Sequence, residues 1–172
     1  MFLYRNPAPG DAEGIARVLW ESWETTYSRW LSDEWFATVS AGNWANGWRG
    51  QLKEAERLRD AGEPDPVERW VALDGDEIVG VALAGPATER GMYAPVHERA
   101  LTIMYVDAAH HGTGIAHELL NRALPDDRPA ELWVADPNPR AQAFYRKHGF
   151  ETDGSRQINE RLASIPEIRM VR

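Results

Sequence analysis

A glycine-punctuated stretch, Tyr105 to Leu120, constrains the fold of this chain more than any other part. A short apolar run ends there, a turn with two glycines follows, and a helix begins whose apolar residues are spaced to bury one face. Gly112 and Gly114 remove Cβ atoms where the chain turns sharply and where a ligand could approach the backbone closely. The start of a helix suits a phosphate, because its N–H groups are unpaired and the helix dipole is positive there. The pattern predicts strand, turn and helix, and leaves open whether the turn binds a ligand or only connects two elements.

A second stretch, Glu131 to Phe150, also predicts a strand followed by a helix that ends at Gly149. Together the two stretches resemble the GCN5-related N-acetyltransferase superfamily. The first signature of that family is Arg or Gln, two residues, Gly, one residue, then Gly or Ala, and it corresponds here to residues 111–116, which begin with His. The second signature corresponds to Asn138, Ala141, Phe144, Tyr145, Gly149 and Phe150.

The resemblance implies an α/β (α+β) fold, with a mixed, mostly antiparallel central sheet flanked by helices. A chain of 172 residues fits one domain, and we expect residues 1–172 to form a single N-acetyltransferase domain. In the superfamily, the strands that correspond to 100–106 and 131–135 run parallel and splay apart. The resemblance implies that the pantetheine arm of the cofactor enters the gap between them.

The remaining segments predict further strands and helices. Strands are predicted at Phe2–Arg5, at Arg69–Leu73 and Ile78–Ala84 with a hairpin turn at Asp74 and Gly75, and near Ile168–Val171. Three glycines, at positions 42, 47 and 50, are expected to interrupt the chain before a charged, exposed helix from Gln51 to Asp60.

The charge balance argues against binding to nucleic acid or to an anionic membrane. The chain has 19 Lys and Arg against 27 Asp and Glu, a formal net charge of −8 at pH 7. An acidic surface is compatible with cationic amine substrates, although solubility alone also explains it. No apolar run is long enough to span a bilayer, and the N-terminus lacks a charged and then apolar leader. We therefore expect a cytoplasmic protein.

The absence of cysteine limits the chemistry that this chain can perform. With no cysteine, the chain has no thiol nucleophile to carry an acyl-enzyme intermediate, so direct transfer is the default for an acyltransferase. The five histidines do not form a recognised zinc spacing with carboxylates, so we expect no metal.

The resemblance implies a binding site for acetyl-CoA, the expected cosubstrate. The N–H groups of the glycine turn would hold the pyrophosphate, the strand before it would pair with the pantetheine arm, and Asn138 offers an amide donor and acceptor. His111 replaces the usual Arg or Gln of the family. The expected cofactor-binding residues are Met104, Tyr105, Val106, His111, Gly112, Thr113, Gly114, Ile115, Ala116, His117, Asn138 and Tyr145.

Tyr145 occupies the position where many family members have the tyrosine that stabilises or protonates the departing thiolate. A phenol stays protonated at neutral pH and donates to sulfur. Related enzymes often have a basic Glu at the positions that correspond to Ala100 and Trp133, so the usual base is missing here. Glu98, Glu24 and His97 are the candidate bases, and loss of the proton to solvent through water is equally compatible.

An aromatic-rich segment from Trp20 to Trp48 suggests a wall of the acceptor site, which family members usually build from their first two helices. The aromatic residues are Trp20, Trp23, Tyr27, Trp30, Trp35, Phe36, Trp44 and Trp48. Trp23, Glu24 and Tyr27 are the expected substrate-binding residues, because aromatic rings and a carboxylate recognise an amine by packing and cation–π contact. Plain helix packing is the alternative explanation.

The sequence thus predicts an acetyl-CoA-dependent N-acetyltransferase that acts by direct transfer on a primary amine of a small molecule or a protein. Within enzymes, an acyltransferase that uses a longer acyl-CoA is the alternative. A noncatalytic CoA-binding sensor or interaction domain is the alternative of a different class. We expect no nucleic-acid or membrane partner, and a homodimer is possible because the surplus of Trp leaves room for an interface.

Overall fold

The protein is described by a computed structural model that covers residues 1–28, 30–32, 34–35, 41–125, 128–159 and 164–172. Phe36 of the aromatic-rich segment lies outside these ranges. In the described ranges the strands are β1 Leu3–Arg5, β2 Glu68–Asp74, β3 Glu77–Pro86, β4 Arg99–Val106, β5 Glu131–Ala135, β6 Glu151–Asn159 and β7 Ile165–Val171. The helices of five or more residues are α1 Ala12–Tyr27, α2 Ala41–Ala61, α3 Ile115–Ala123 and α4 Pro139–Lys147.

The seven strands form one mixed sheet in the order β1-β2-β3-β4-β5-β7-β6. All neighbouring pairs are antiparallel except β4 and β5, which run parallel. The mixed, mostly antiparallel sheet predicted from the sequence is therefore confirmed, as are the edge strand at the N-terminus and the hairpin between β2 and β3. Gly75 has φ +59 in that hairpin turn, a left-handed conformation that glycine adopts without strain.

The parallel pair β4 and β5 is joined over two residue pairs, Ala100 with Glu131 and Leu101 with Leu132. Beyond Leu101, β4 is paired with β3 alone among the described strands, and beyond Leu132, β5 is paired with β7 alone. The two strands therefore separate, and a gap opens in the middle of the sheet. This is the geometry that the family resemblance implied for residues 100–106 and 131–135.

Helices cover both faces of the sheet because the residues of the central strands alternate between two cores. Val81 and Leu83 of β3 pack with Ile15 of α1 and Leu52 of α2. Ala82 of β3 packs into the other core, where α3 contributes its buried leucines and α4 contributes Tyr145. Among the described residues, no helix is long and apolar enough to cross a membrane.

Helix α2 begins at Ala41, so the prediction that glycines interrupt the chain before residue 51 is wrong. Glycine lowers helix stability by roughly 1 kcal/mol relative to alanine, and α2 contains three of them. Packing overrides this preference, since Trp48 and Leu52 are almost fully buried against the sheet and α1. Gly47 itself faces open space, since a Cβ atom added there would have no heavy atom within 4 Å.

Two glycine substitutions are expected to change stability in opposite directions. A Cβ atom at Gly80 of β3 would lie 2.9 Å from Cδ1 of the fully buried Leu119, so Gly80→Ala should lower the free energy of unfolding by about 1–3 kcal/mol through overpacking. Gly47→Ala, on the exposed face of α2, should raise it by about 0.5–1 kcal/mol. Urea denaturation of both variants measures the two changes, and equal signs would contradict the packing described here.

Candidate functional site

A cavity of about 410 Å³ lies where β4, the glycine turn and the first turns of α3 and α4 meet. Gly112 has φ +81 and Gly114 has φ +91, so both need the left-handed conformation that glycine favours. Gly114 is also the N-cap of α3, and no side chain caps the first N–H groups of this helix. Free N–H groups at a helix start form a site for an anion. The Ser22 hydroxyl of α1 also lines the cavity and has no hydrogen-bond partner within the described part of the chain.

The histidine at the start of the glycine turn is held neutral by its neighbours. Nε2 of His111 donates to the carbonyl oxygen of Val106 at 3.0 Å, and Nδ1 accepts from Nη1 of Arg140 at 2.8 Å. Partial burial lowers the pKa of His111, and the charge of Arg140 lowers it further. The fixed positive charge at the cavity therefore comes from Arg140, the second residue of α4, which sequence reasoning missed. Its place beside Asn138 in the second signature could have indicated it.

Asn138 lies at the start of α4 and close to α1. Its Oδ1 accepts from the backbone N–H of Ala141 at 3.1 Å, which caps the helix. Its side chain lies near the hydroxyl of Tyr27 of α1, and this neighbour lowers the pKa of that phenol against the larger effect of burial, which raises it. Pro139 follows at the first helical position, where its missing N–H costs nothing. Asn138 thus caps α4 at a place that is close to α1.

Tyr145 of α4 lies at the junction of two cavities and is only 7% exposed. Burial raises the pKa of Tyr145, and the nearby Tyr27 raises it further. The phenol is therefore protonated near neutral pH. Within the described residues its hydroxyl has no hydrogen-bond partner, so the O–H is available to a ligand. Such a group donates a hydrogen bond to an anion more readily than it surrenders its proton.

A second cavity of about 220 Å³ opens from the gap toward α1, α2 and β7. It shares with the first cavity Met104, Tyr105, Asn138, Ala141 and Tyr145. Its other walls are mostly apolar and include the rings of Trp23, Tyr27 and Trp44. The ring of Trp23 contacts those of Tyr27 and Trp44 with centroid distances of 5.1 and 5.5 Å. Ligands that occupy the two cavities would therefore meet at Tyr145.

Tyr105 of β4 packs against the apolar cluster that contains Trp23 and Tyr27 of α1. Burial raises the pKa of Tyr105, with a further contribution from the nearby Tyr27. Neither the Tyr27 hydroxyl nor the Tyr105 hydroxyl ionises near neutral pH. Trp23, Tyr27 and Tyr105 therefore contribute uncharged side chains to the second cavity.

Most of the predicted cofactor-binding residues line the first cavity. The residues brought together there are Met104, Tyr105, Val106, His111, Gly112, Gly114, Ala116, His117, Asn138 and Tyr145. The side chain of Ile115 is instead fully buried in the core beside Leu119, so this residue offers only its backbone. The Thr113 hydroxyl donates to the carbonyl oxygen of His110 at 2.7 Å and thereby supports the turn.

Of the residues predicted to bind the acceptor, Trp23 and Tyr27 line the second cavity and Glu24 does not accompany them. Glu24 is exposed and lies in a surface groove with Glu21 and Asp107, because its position on α1 faces away from Trp23 and Tyr27. The other candidate bases are also remote from Tyr145. Glu98 precedes β4 at the end that is paired with β5, and it lines a surface depression together with His97 and Arg99.

One acidic residue of the second cavity was not found from the sequence. Glu167 of β7 is 5% exposed and lines this cavity with Arg90, which forms an ion pair with it. Its strand was predicted only near Ile168–Val171, and nothing in the local pattern indicates which side chain of that strand would reach the gap. Among the described residues, no group of three or more His, Asp or Glu could hold a metal ion.

Comparisons with known proteins agree with this geometry. The sequence profile of the acetyltransferase (GNAT) family matches residues 15–150. A search of curated proteins finds no match.

Solved structures with low sequence identity share the fold. The PaiA N-acetyltransferase from Thermoplasma acidophilum, in complex with coenzyme A, has a TM-score of 0.69 at 18% identity over 98% of both chains. The ribosomal-protein-S5-alanine acetyltransferase from Vibrio fischeri has a TM-score of 0.69 at 16% identity, over 99% of this chain and 92% of that one. The ribosomal-protein-alanine N-acetyltransferase from Brucella melitensis has a TM-score of 0.66 at 20% identity, over 99% and 98%.

The pKa of His111 is expected to lie below the ordinary value of about 6.5 and to rise in Arg140→Gln, which removes a nearby positive charge. Because the unfolded chain binds a proton at His111 before the folded protein does, this residue makes the protein less stable as pH falls below the unfolded pKa. NMR titration of the imidazole measures the pKa. Arg146→Gln, on the exposed side of α4, is the control and should leave it unchanged. A His111 pKa at or above the ordinary value would contradict the contacts described.

Proposed function

Because this chain belongs to the acetyltransferase (GNAT) family, we propose that it transfers the acetyl group of acetyl-CoA directly to a primary amine. The observation that carries the proposal is the meeting of two cavities at Tyr145, in the gap between β4 and β5. Acetyl-CoA would occupy the first cavity and the amine the second. Direct transfer agrees with the absence of cysteine, since no thiol is present to carry the acetyl group.

The residues around the first cavity fit acetyl-CoA. The uncapped start of α3 and the glycine turn offer N–H groups to a pyrophosphate, and Arg140 adds a positive charge. The edge of β4 beyond Leu101 has no partner strand on the β5 side within the described residues, so its backbone groups are free to bind the amide groups of pantetheine. The orphaned hydroxyl of Ser22 is a further polar contact for the same ligand.

Acetyl-CoA supplies a thioester whose carbonyl carbon accepts the nitrogen of the amine. A carbon–nitrogen bond forms and the carbon–sulfur bond breaks, while the ammonium loses two protons, one to solvent and one that ends on sulfur. Tyr145 would donate a hydrogen bond to the sulfur as negative charge develops there. Because burial raises the pKa of Tyr145, we assign to it stabilisation of the thiolate rather than complete transfer of its own proton.

The location and the assembly of the protein stay predictions. We keep the cytoplasmic location and the possible homodimer as expectations from the sequence, together with the absence of nucleic-acid and membrane partners. An assay across small amines and N-terminal peptides, with acetyl-CoA and with a longer acyl-CoA, tests the reaction itself. Binding of CoA without turnover of any acceptor would favour the noncatalytic sensor over the enzyme.

Acetyl-CoA is expected to raise the melting temperature, and Arg140→Gln should reduce that increase. A ligand at one hundred times its dissociation constant adds about 2.7 kcal/mol to the stability of the folded state. Loss of one charge-assisted contact should weaken binding roughly ten- to a hundredfold, as calorimetry would measure. Desulfo-CoA should act like acetyl-CoA, ATP should not, and Arg146→Gln is the matched control. Equal affinities of the two arginine variants would contradict the role of Arg140.

Tyr145→Phe is expected to lower kcat roughly a hundredfold or more, since a positioned acid or hydrogen-bond donor contributes typically 10²–10⁴. The affinity for acetyl-CoA should stay within about twofold of the wild type, because the ring and its packing remain. Tyr4→Phe makes the same chemical change on β1 and serves as the control. Steady-state kinetics with any verified acceptor measures the effect, and an unchanged kcat would show that the thiolate is stabilised by another group.

A further inference from the structure

The second cavity contains a buried ion pair in an otherwise mostly apolar wall. The side chain of Glu167 is 7% exposed, whereas that of Arg90 is 39% exposed. The carboxylate is thus buried, and the guanidinium that pairs with it is partly exposed to solvent. Burying a carboxylate is costly unless other groups compensate, so its place in this wall calls for a physical explanation.

Three donors hold the carboxylate of Glu167. Oε2 accepts from Nη1 of Arg90 at 2.9 Å and from Nε2 of Gln157 at 3.1 Å, and Oε1 accepts from Nδ2 of Asn159 at 3.1 Å. A carboxylate has about four acceptor positions, so Oε1 keeps room for one more donor. Because Gln157 lies opposite Glu167 on the paired strand β6, these contacts also tie β6 to β7. Cross-strand support alone is therefore the simplest alternative role of this residue.

The negative charge of Glu167 acts on the residues that surround the reaction site. Burial raises the pKa of Tyr27 and of Tyr105, and the charge of Glu167 contributes to both increases. Both tyrosines line the second cavity together with Tyr145. If Glu167 only held β6 to β7, its carboxylate would not need to lie near these tyrosines. Recognition of a cation beside Tyr145 does require the carboxylate to lie near them.

The remaining wall suits a flat apolar group. The ring of Trp23 contacts those of Tyr27 and Trp44, and all three line the cavity together with aliphatic side chains of β4, β5 and β7. An alkylamine is a cation at neutral pH, so the acceptor would arrive as an ammonium. A ligand with several positive charges would find one carboxylate, that of Glu167, among the described residues that line this cavity.

We propose that Glu167 binds the ammonium of the acceptor and that the aromatic wall holds an aromatic or branched apolar group, so the acceptor class is a small primary arylalkylamine. This inference rests on the function proposed above. Because three donors already hold its oxygens, Glu167 binds and orients the cation, and the proton of the ammonium leaves to water. Glu167 is accordingly an acceptor-binding residue, and specificity follows from the distance between the carboxylate and the rings.

Two acceptors of equal size separate charge recognition from shape. Phenethylamine is a cation at neutral pH, whereas O-benzylhydroxylamine, in which one methylene is replaced by oxygen, is uncharged. In the wild type, KM should be lower for phenethylamine, roughly ten- to a hundredfold. Glu167→Gln should raise KM for phenethylamine by about that factor, with kcat nearly unchanged, and should leave KM for O-benzylhydroxylamine nearly unchanged. Spermidine and an N-terminal peptide should be poorer acceptors than phenethylamine.

Glu131→Gln is the matched control, because Glu131 is also buried and its Oε2 accepts from the backbone N–H groups of Val96 and His97. It should not change the ratio of the two KM values. An equal effect of Glu167→Gln on both acceptors, or a preference of the wild type for spermidine or the peptide, would overturn the proposal. If Glu167→Gln fails to fold, the wild-type comparison still decides, since equal KM values for the two acceptors would refute charge recognition.

Binding without turnover separates this inference from the proposed reaction. Calorimetry with the complex of the protein and desulfo-CoA should show that phenethylamine binds more tightly than O-benzylhydroxylamine. That result without any acetyl transfer would contradict the proposed function and retain the amine site. Acetyl transfer to other amines, without binding of phenethylamine, would overturn the amine site and retain the function.

Discussion

The separation of β4 and β5 after only two paired residues is the constraint on which the site depends. A continuous sheet would satisfy the backbone groups of both strands and leave no passage between its faces. Because pairing stops at Leu101 and Leu132, the edges of two central strands remain open inside the protein. Unpaired backbone groups at such a place are unfavourable unless a ligand or water satisfies them. The gap therefore provides a passage through the sheet. It also leaves backbone groups whose hydrogen bonds a polar, extended ligand could satisfy.

Contacts between α1, β4 and α4 keep this gap in shape. Tyr105 packs against Trp23 and Tyr27, and Asn138, which lines the same cavity as these rings, caps α4. These contacts bring α1 close to the elements that border the gap. The aromatic residues of α1 thus pack in a core and also line the second cavity, while the acceptor-binding role of Trp23 and Tyr27 stays a prediction.

Local charges oppose the net charge of the molecule where the anionic ligand would bind. The chain carries a formal net charge of −8, yet the first cavity combines helix N–H groups with Arg140 beside a neutral His111. The second cavity has the opposite arrangement, with the carboxylate of Glu167 inside and Arg90 nearer to solvent. The two cavities therefore differ in charge, in line with the proposed anionic cosubstrate in the first and cationic acceptor in the second.

The sequence by itself determined the elements whose conformation depends on residue type. Gly112 and Gly114 were recognisable because the turn needs left-handed backbone, and the start of α4 was recognisable because Asn and Pro suit its first positions. The family signatures then placed ten of the expected cofactor-binding residues at one cavity. Only the tertiary structure decided that α2 runs through its glycines, that burial and Arg140 lower the pKa of His111, and that Glu167 lines one cavity with Trp23 and Trp44. The physical reason is that the local backbone conformation is set by the types of neighbouring residues, whereas contacts between distant segments depend on how the strands are ordered and packed.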